Sequence, residues 1–78
     1  MFPNLNAEQA RKDLSNSDVA KLLGVKSDAY ERRKRTGRFS AGECATLCSF
    51  FDCSFEYLFS LEPIKNVYPS APQRGENV

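Results

Sequence analysis

Seventy-eight residues with 41% apolar content, no Trp, no His and a net charge of +1 fit one small globular domain and exclude a wholly disordered chain. A chain of this length buries only about 60% of its unfolded surface, so a single core is expected. No apolar run approaches ~18 residues, Met1 to Asn6 lacks the basic and apolar regions of a signal peptide, and three cysteines at spacings of four and five are no disulfide framework, so a reducing cytosol is the expected place of work.

The first helix is expected over about Leu5 to Asp13, with Asn4 as its N-cap behind Pro3. Its apolar residues, Leu5, Ala7, Ala10 and Leu14, make no single stripe. The second helix starts at Ser15, where Ser15-x-x-Asp18 resembles a capping box with Asp in place of Glu or Gln. Val19, Ala20, Leu22 and Leu23 fall on one side as a buried face, Gly24 ends the helix, and Val25 turns inward. The third helix is expected over Ser27 to Thr36. At about 100° per residue, Ser27, Asp28, Glu31, Arg32 and Arg35 share one face, while Ala29, Tyr30 and Arg33 share the opposite one. Thr36-Gly37 closes it, and Phe39 is expected to dock back on the core.

Ser40 to Glu43 is a capping box in its usual form, and Ala41, Cys44, Leu47, Cys48 and Phe51 then recur as the core stripe of a fourth helix. Asp52-Cys53 makes the break. Ser54 caps a short fifth helix expected to bury Phe55, Leu58 and Phe59. Past Leu61 the composition changes to Pro63, Pro69 and Pro72 among Ser, Gln, Gly and Asn, so residues 62–78 are expected to form a flexible tail on a 1–61 domain.

The small net charge conceals an asymmetry. Lys26 to Arg38 holds Lys26, Arg32, Arg33, Lys34, Arg35 and Arg38 against Asp28 and Glu31, a local +4 that leaves −3 for the rest of the chain. Cation gathered on one segment is what a polyanion-binding face requires, although a solvated helix exposing its Lys and Arg has the same composition. A short amphipathic helix, a glycine corner and a second helix loaded with cation is the plan of a helix-turn-helix.

Several strings carry a family resemblance: Leu14-Ser15-x-x-Asp18-Val19-Ala20-x-Leu22-Leu23-Gly24-Val25, the basic helix with Tyr30, Gly37-x-Phe39, and Leu47-Cys48-x-x-Phe51 followed by Phe55-x-Tyr57-Leu58. Together they resemble the phage-repressor and Cro-like (XRE-type) helix-turn-helix family over about Asn4 to Phe59. Ala20, small enough for two helices to cross closely, and Gly24 at the corner are the most specific marks. The resemblance implies an all-α, five-helix lambda-repressor-like domain whose third helix lies in the major groove. It implies base-reading positions at Ser27, Asp28, Glu31 and Arg32, with Ala29 beside them. Phosphate contacts would fall on Asn16 and Ser17, where helix N–H groups favour an anion, and on Lys26, Lys34, Arg35 and Arg38.

Arg32 can give paired hydrogen bonds to guanine O6 and N7, worth about 1–3 kcal/mol of discrimination. Asp28 can accept from cytosine N4, orient Arg32 one turn on, or simply favour the helix N-terminus, and Glu31 shares that last role. Three places depart from the family pattern. Arg33 stands where an apolar residue usually packs, with its stem expected to pack and its head to snorkel outward. Gln9 and Lys34 stand where many members have an ion pair between the first and third helices. Lys26 replaces the usual Ser or Thr cap of the third helix, which leaves Ser27 as an alternative cap one residue on.

Cys44, Cys48 and Cys53 are not expected to bind metal, because a structural zinc site needs four N/S ligands and the chain has no His; Cys44 and Cys48 read as core residues. No cofactor is expected. An enzyme is not expected either, for want of a His base, a nucleotide loop and a paired-carboxylate cleft. The expected function is a sequence-specific regulator of transcription that binds double-stranded DNA as a homodimer, with Phe50, Tyr57 and the tail as candidate dimer contacts and no membrane or small-molecule partner. The alternative is a protein-interaction module of the same fold, such as an antitoxin, docking through its tail.

Overall fold

The computed structural model describes residues 1–63, all of whose regular structure is helical: α1 Pro3–Arg11, α2 Asn16–Leu23, α3 Ser27–Thr36, α4 Ala41–Phe51 and α5 Phe55–Leu58. Residues 64–78, most of the expected tail, lie outside the described residues.

α1 begins two residues earlier than the sequence suggests. Pro3 occupies the first turn, where its missing N–H is harmless and its fixed φ suits a helix, and Phe2 is the N-cap without any side-chain cap. The expected cap, Asn4, is instead buried inside the helix. Its Nδ2 donates to the carbonyls of Tyr57 at 2.9 Å and Glu62 at 3.2 Å, tying α1 to the chain around α5. Both predicted capping boxes form. Ser15 Oγ accepts from the Asp18 N–H while Asp18 Oδ2 accepts from the Ser15 N–H, and Ser40 and Glu43 do the same for α4. Asp18 ionises below the usual carboxylate range because of those Ser15 hydrogen bonds. Gly24 and Gly37 close α2 and α3 at φ +74° and +78°, left-handed values that a Cβ disfavours.

The core joins all five helices: Phe2 and Leu5, Val19 and Ala20, Tyr30, Leu47 and Phe51, Tyr57 and Leu58. Each fully buried aliphatic among these stabilises by about 1.5–3 kcal/mol relative to exposure. Phe2, Phe39 and Phe59 form a ring triangle with centroids 5.3–5.9 Å apart, so Phe39 does close the α3–α4 connection onto the core. Ala20 is nearly inaccessible, and α2 packs on α3.

Several burial expectations fail, for one reason: short helices leave part of each apolar stripe uncovered. Leu22 is 40% exposed, Ala41 is exposed, and Cys44 and Cys48 are only half-buried. Phe55, expected inside, is 58% exposed, whereas Tyr57, expected among the outlying groups, is only 8% exposed. A single turn of helix offers two inward positions, and Tyr57 and Leu58 take them. The Tyr57 hydroxyl donates to the buried Glu8 carboxylate at 2.8 Å, and burial followed by that carboxylate pushes its pKa up to about 12.

Candidate nucleic-acid interface

α3 starts at Ser27 with extended Lys26 as its N-cap and no side-chain cap; Ser27 does not take over that position. Its register therefore sets Asp28, Glu31, Arg32 and Arg35 on the exposed face, a stretch of two turns or about 10 Å. Ser27 is half-buried beside them, and Lys26 and Arg38 are exposed at the two ends. The opposite side faces inward: Tyr30 is fully buried and Ala29 half-buried.

Arg33, also on the inward side, is expected to send its head outward to water and instead meets a carboxylate. It does not snorkel: one guanidinium nitrogen lies 3.0 Å from Glu43 Oε2 at the start of α4, a charge contact without the alignment of a hydrogen bond. Two ion pairs occur among the described residues, Glu8–Arg11 and Arg33–Glu43, and neither involves Lys26, Arg32, Arg35 or Arg38. Those four cations face solvent with no carboxylate in contact. Thr36 Oγ1 donates back to the Arg32 carbonyl at 2.9 Å, turning its hydroxyl away from any ligand.

Lys34 is placed otherwise than expected of a backbone contact. Its ammonium donates to Asn16 Oδ1 at 2.8 Å, Asn6 Oδ1 at 2.9 Å and Gln9 Oε1 at 3.5 Å, and it lies 4.9 Å from the Tyr30 ring centre. Three protons meet three acceptors of the protein itself. Burial lowers the Lys34 pKa, with Glu31 partly opposing the shift. Gln9 completes the network: its Oε1 accepts from the Tyr30 hydroxyl at 2.9 Å, and its Nε2 donates to Asn16 Oδ1 at 3.0 Å and the Leu14 carbonyl at 3.1 Å. The ion pair missing between α1 and α3 is thus replaced by neutral amides gathered around one ammonium. Gln9 and Asn6, both on α1, are the positioning residues that sequence reading missed; the unusual pairing of Gln9 with Lys34 was the signal that pointed to them.

Asn16 is drawn into the same network. Its Oδ1 takes two donors and its Nδ2 donates to Glu31 Oε2 at 3.3 Å, so its side chain and the Glu31 carboxylate satisfy each other across α2 and α3. Ser17 remains exposed beside it. As at any helix start, the Asn16 and Ser17 backbone N–H groups have no intrahelical partner, and they lie at the positive end of the α2 dipole. The Asp18 carboxylate, within the first turn, works against an anion there.

No membrane-length apolar helix and no cluster of metal-ligating groups occurs among the described residues. Burial holds the Cys44, Cys48 and Cys53 thiols above their usual pKa, Cys53 at about 11, so each is a poor nucleophile at neutral pH. In comparisons with protein-family models, curated proteins and solved structures, the chain matches none.

Proposed function

We propose that this chain is a sequence-specific regulator of transcription that binds double-stranded DNA through a lambda-repressor-like helix-turn-helix. In this reading α2 lies across the phosphate backbone and α3 enters the major groove, and two copies read half-sites about one helical turn apart. The observation that supports it best is the set of four solvent-facing cations on and beside α3, Lys26, Arg32, Arg35 and Arg38, none of them in an ion pair among the described residues. Asp28 and Glu31 share the exposed face of α3 but pair with none of the four, and a polyanion ligand would offset the repulsion among these cations.

Roles follow from position. Arg32, mid-helix, reads guanine, and Asp28 one turn before it accepts from cytosine or orients Arg32. Glu31, held by Asn16, presents a fixed acceptor and disfavours groove edges rich in acceptors. Arg35, Arg38 and Lys26 at the helix flanks neutralise phosphates, and Ser17 with the α2 N–H groups receives one more. The Lys34 network holds α3 against α1 and α2, so the reading groups sit on a rigid rod.

Selection of bound duplexes from a random pool, followed by sequencing, tests the reading. A recurrent two-fold motif is the expected result. Absence of duplex binding even at low salt, with one protein captured stoichiometrically, would replace it with the protein-interaction reading.

A further inference from the structure

Asn16 and Glu31 meet across α2 and α3, and their contact is fixed from one side. Asn16 Oδ1 accepts from Lys34 Nζ at 2.8 Å and from Gln9 Nε2 at 3.0 Å. An ammonium can only donate, so the amide has one orientation, and its Nδ2 is left to donate to Glu31 Oε2 at 3.3 Å. Glu31 itself is exposed on α3 and takes part in no ion pair among the described residues. Its second oxygen, Oε1, accepts no hydrogen bond within them. Glu31 is thus an acceptor held by one oxygen and open at the other.

A glutamate free in solvent gives up rotamer freedom when it binds, and one already bonded to the neighbouring helix gives up less. The edges of the major groove sort its possible ligands. Guanine shows two acceptors, thymine an acceptor and a methyl group, and adenine an acceptor beside its amino group. Cytosine alone shows a donor with no acceptor. A carboxylate oxygen, which can only accept, fits that edge and no other equally well. The phosphate backbone repels it, so a phosphate is not its ligand.

We infer that Glu31 Oε1 reads the N4 amino group of a cytosine in the major groove, and that Asn16 positions Glu31 for it instead of making the phosphate contact expected from the sequence. Glu31 acts in this way only if α3 enters the groove, as in the DNA reading above, but that reading can stand without it.

The test starts from duplexes that the full wild-type chain selects from a random pool. Each base pair of the selected site is replaced in turn, and affinities are measured by competition for the wild type, Glu31→Ala, Asn16→Asp and the double variant. Glu31 is exposed, so Glu31→Ala keeps the fold. Asp in place of Asn16 still accepts from Lys34 and Gln9 and suits a helix start, so circular dichroism should be unchanged. It cannot donate, however, and it sets a second carboxylate against Glu31. Any repulsion it adds toward phosphates weakens every duplex alike and cancels in the ratio of two affinities. The wild type should prefer cytosine at one position by about five- to tenfold. Glu31→Ala should lose that preference there and nowhere else, and Asn16→Asp should lose most of it at the same position. The double variant should match Glu31→Ala, because Asn16 acts on the base only through Glu31. A motif still bound with its base preferences unchanged in Glu31→Ala overturns the inference and leaves the DNA reading standing. Base preferences that Asn16→Asp leaves intact, or alters again in the double variant, overturn the positioning role of Asn16. No duplex bound by the wild type even at low salt overturns both readings.

Discussion

Replacing Lys34 by Met separates an internal clamp from a phosphate contact. Methionine keeps the linear stem beside the Tyr30 ring and removes only the ammonium. None of the three acceptors is left bare: Asn16 Oδ1 keeps Gln9 Nε2, Gln9 Oε1 keeps the Tyr30 hydroxyl, and Asn6 is exposed to water. The substitution removes two short charge-assisted bonds, at 2.8 and 2.9 Å, and one long one. At about 1.5 kcal/mol for each short bond, less the relief of no longer desolvating a half-buried ammonium, the net destabilisation is about 1–2 kcal/mol. For a domain of this size each kcal/mol lowers Tm by about 4–8 °C, which thermal unfolding followed by circular dichroism resolves. DNA affinity measured against salt provides the second readout. The slope of log K on log salt changes by about 0.9 for each phosphate that is no longer neutralised, so Lys34→Met should leave it unchanged while Arg35→Ala flattens it by about 0.9. A Lys34→Met protein with wild-type Tm and a slope reduced by about 0.9 would refute the internal role of Lys34 and restore it as a ligand of the DNA backbone.

Arg32→Ala should lose about 1–3 kcal/mol of preference at one or two base pairs and leave affinity for unrelated duplexes nearly unchanged, as measured by competition binding. Tyr57→Phe leaves the buried Glu8 carboxylate without its hydroxyl donor and should destabilise by about 1–3 kcal/mol in urea unfolding. The same tyrosine gives a pH signature. Its folded pKa is raised to about 12 from the ordinary 10, so its contribution is complete below about pH 10 and is lost as pH rises from there through 12. Wild-type stability should decline across that alkaline window more steeply than that of Tyr57→Phe. Phe55→Ser, at a solvent-facing ring, should change monomer stability by no more than about 0.5 kcal/mol, in contrast to the several kcal/mol expected of a core phenylalanine.

Local chemistry was legible because it depends on neighbours within a few residues. Ser15 with Asp18 and Ser40 with Glu43 specify two helix starts, Gly24 and Gly37 specify two stops, and those four points fix both ends of α2, the close of α3 and the start of α4. The exposed face of α3 followed from periodicity alone, since Tyr30 and Ala29 had to turn inward. Partners distant in the chain were not legible. Nothing near Lys34 announces that Asn6, Gln9 and Asn16 converge on its ammonium, and nothing near Asn4 announces a carbonyl far along the chain at Tyr57. Such contacts arise only when α1 is laid against α2, α3 and α5, because the acceptors come from separate segments and chain spacing carries no record of their angle of approach. The exchange of Phe55 for Tyr57 in the core has the same origin: a one-turn helix presents two inward positions, and the Glu8 carboxylate that the Tyr57 hydroxyl meets lies on α1, far away in the chain.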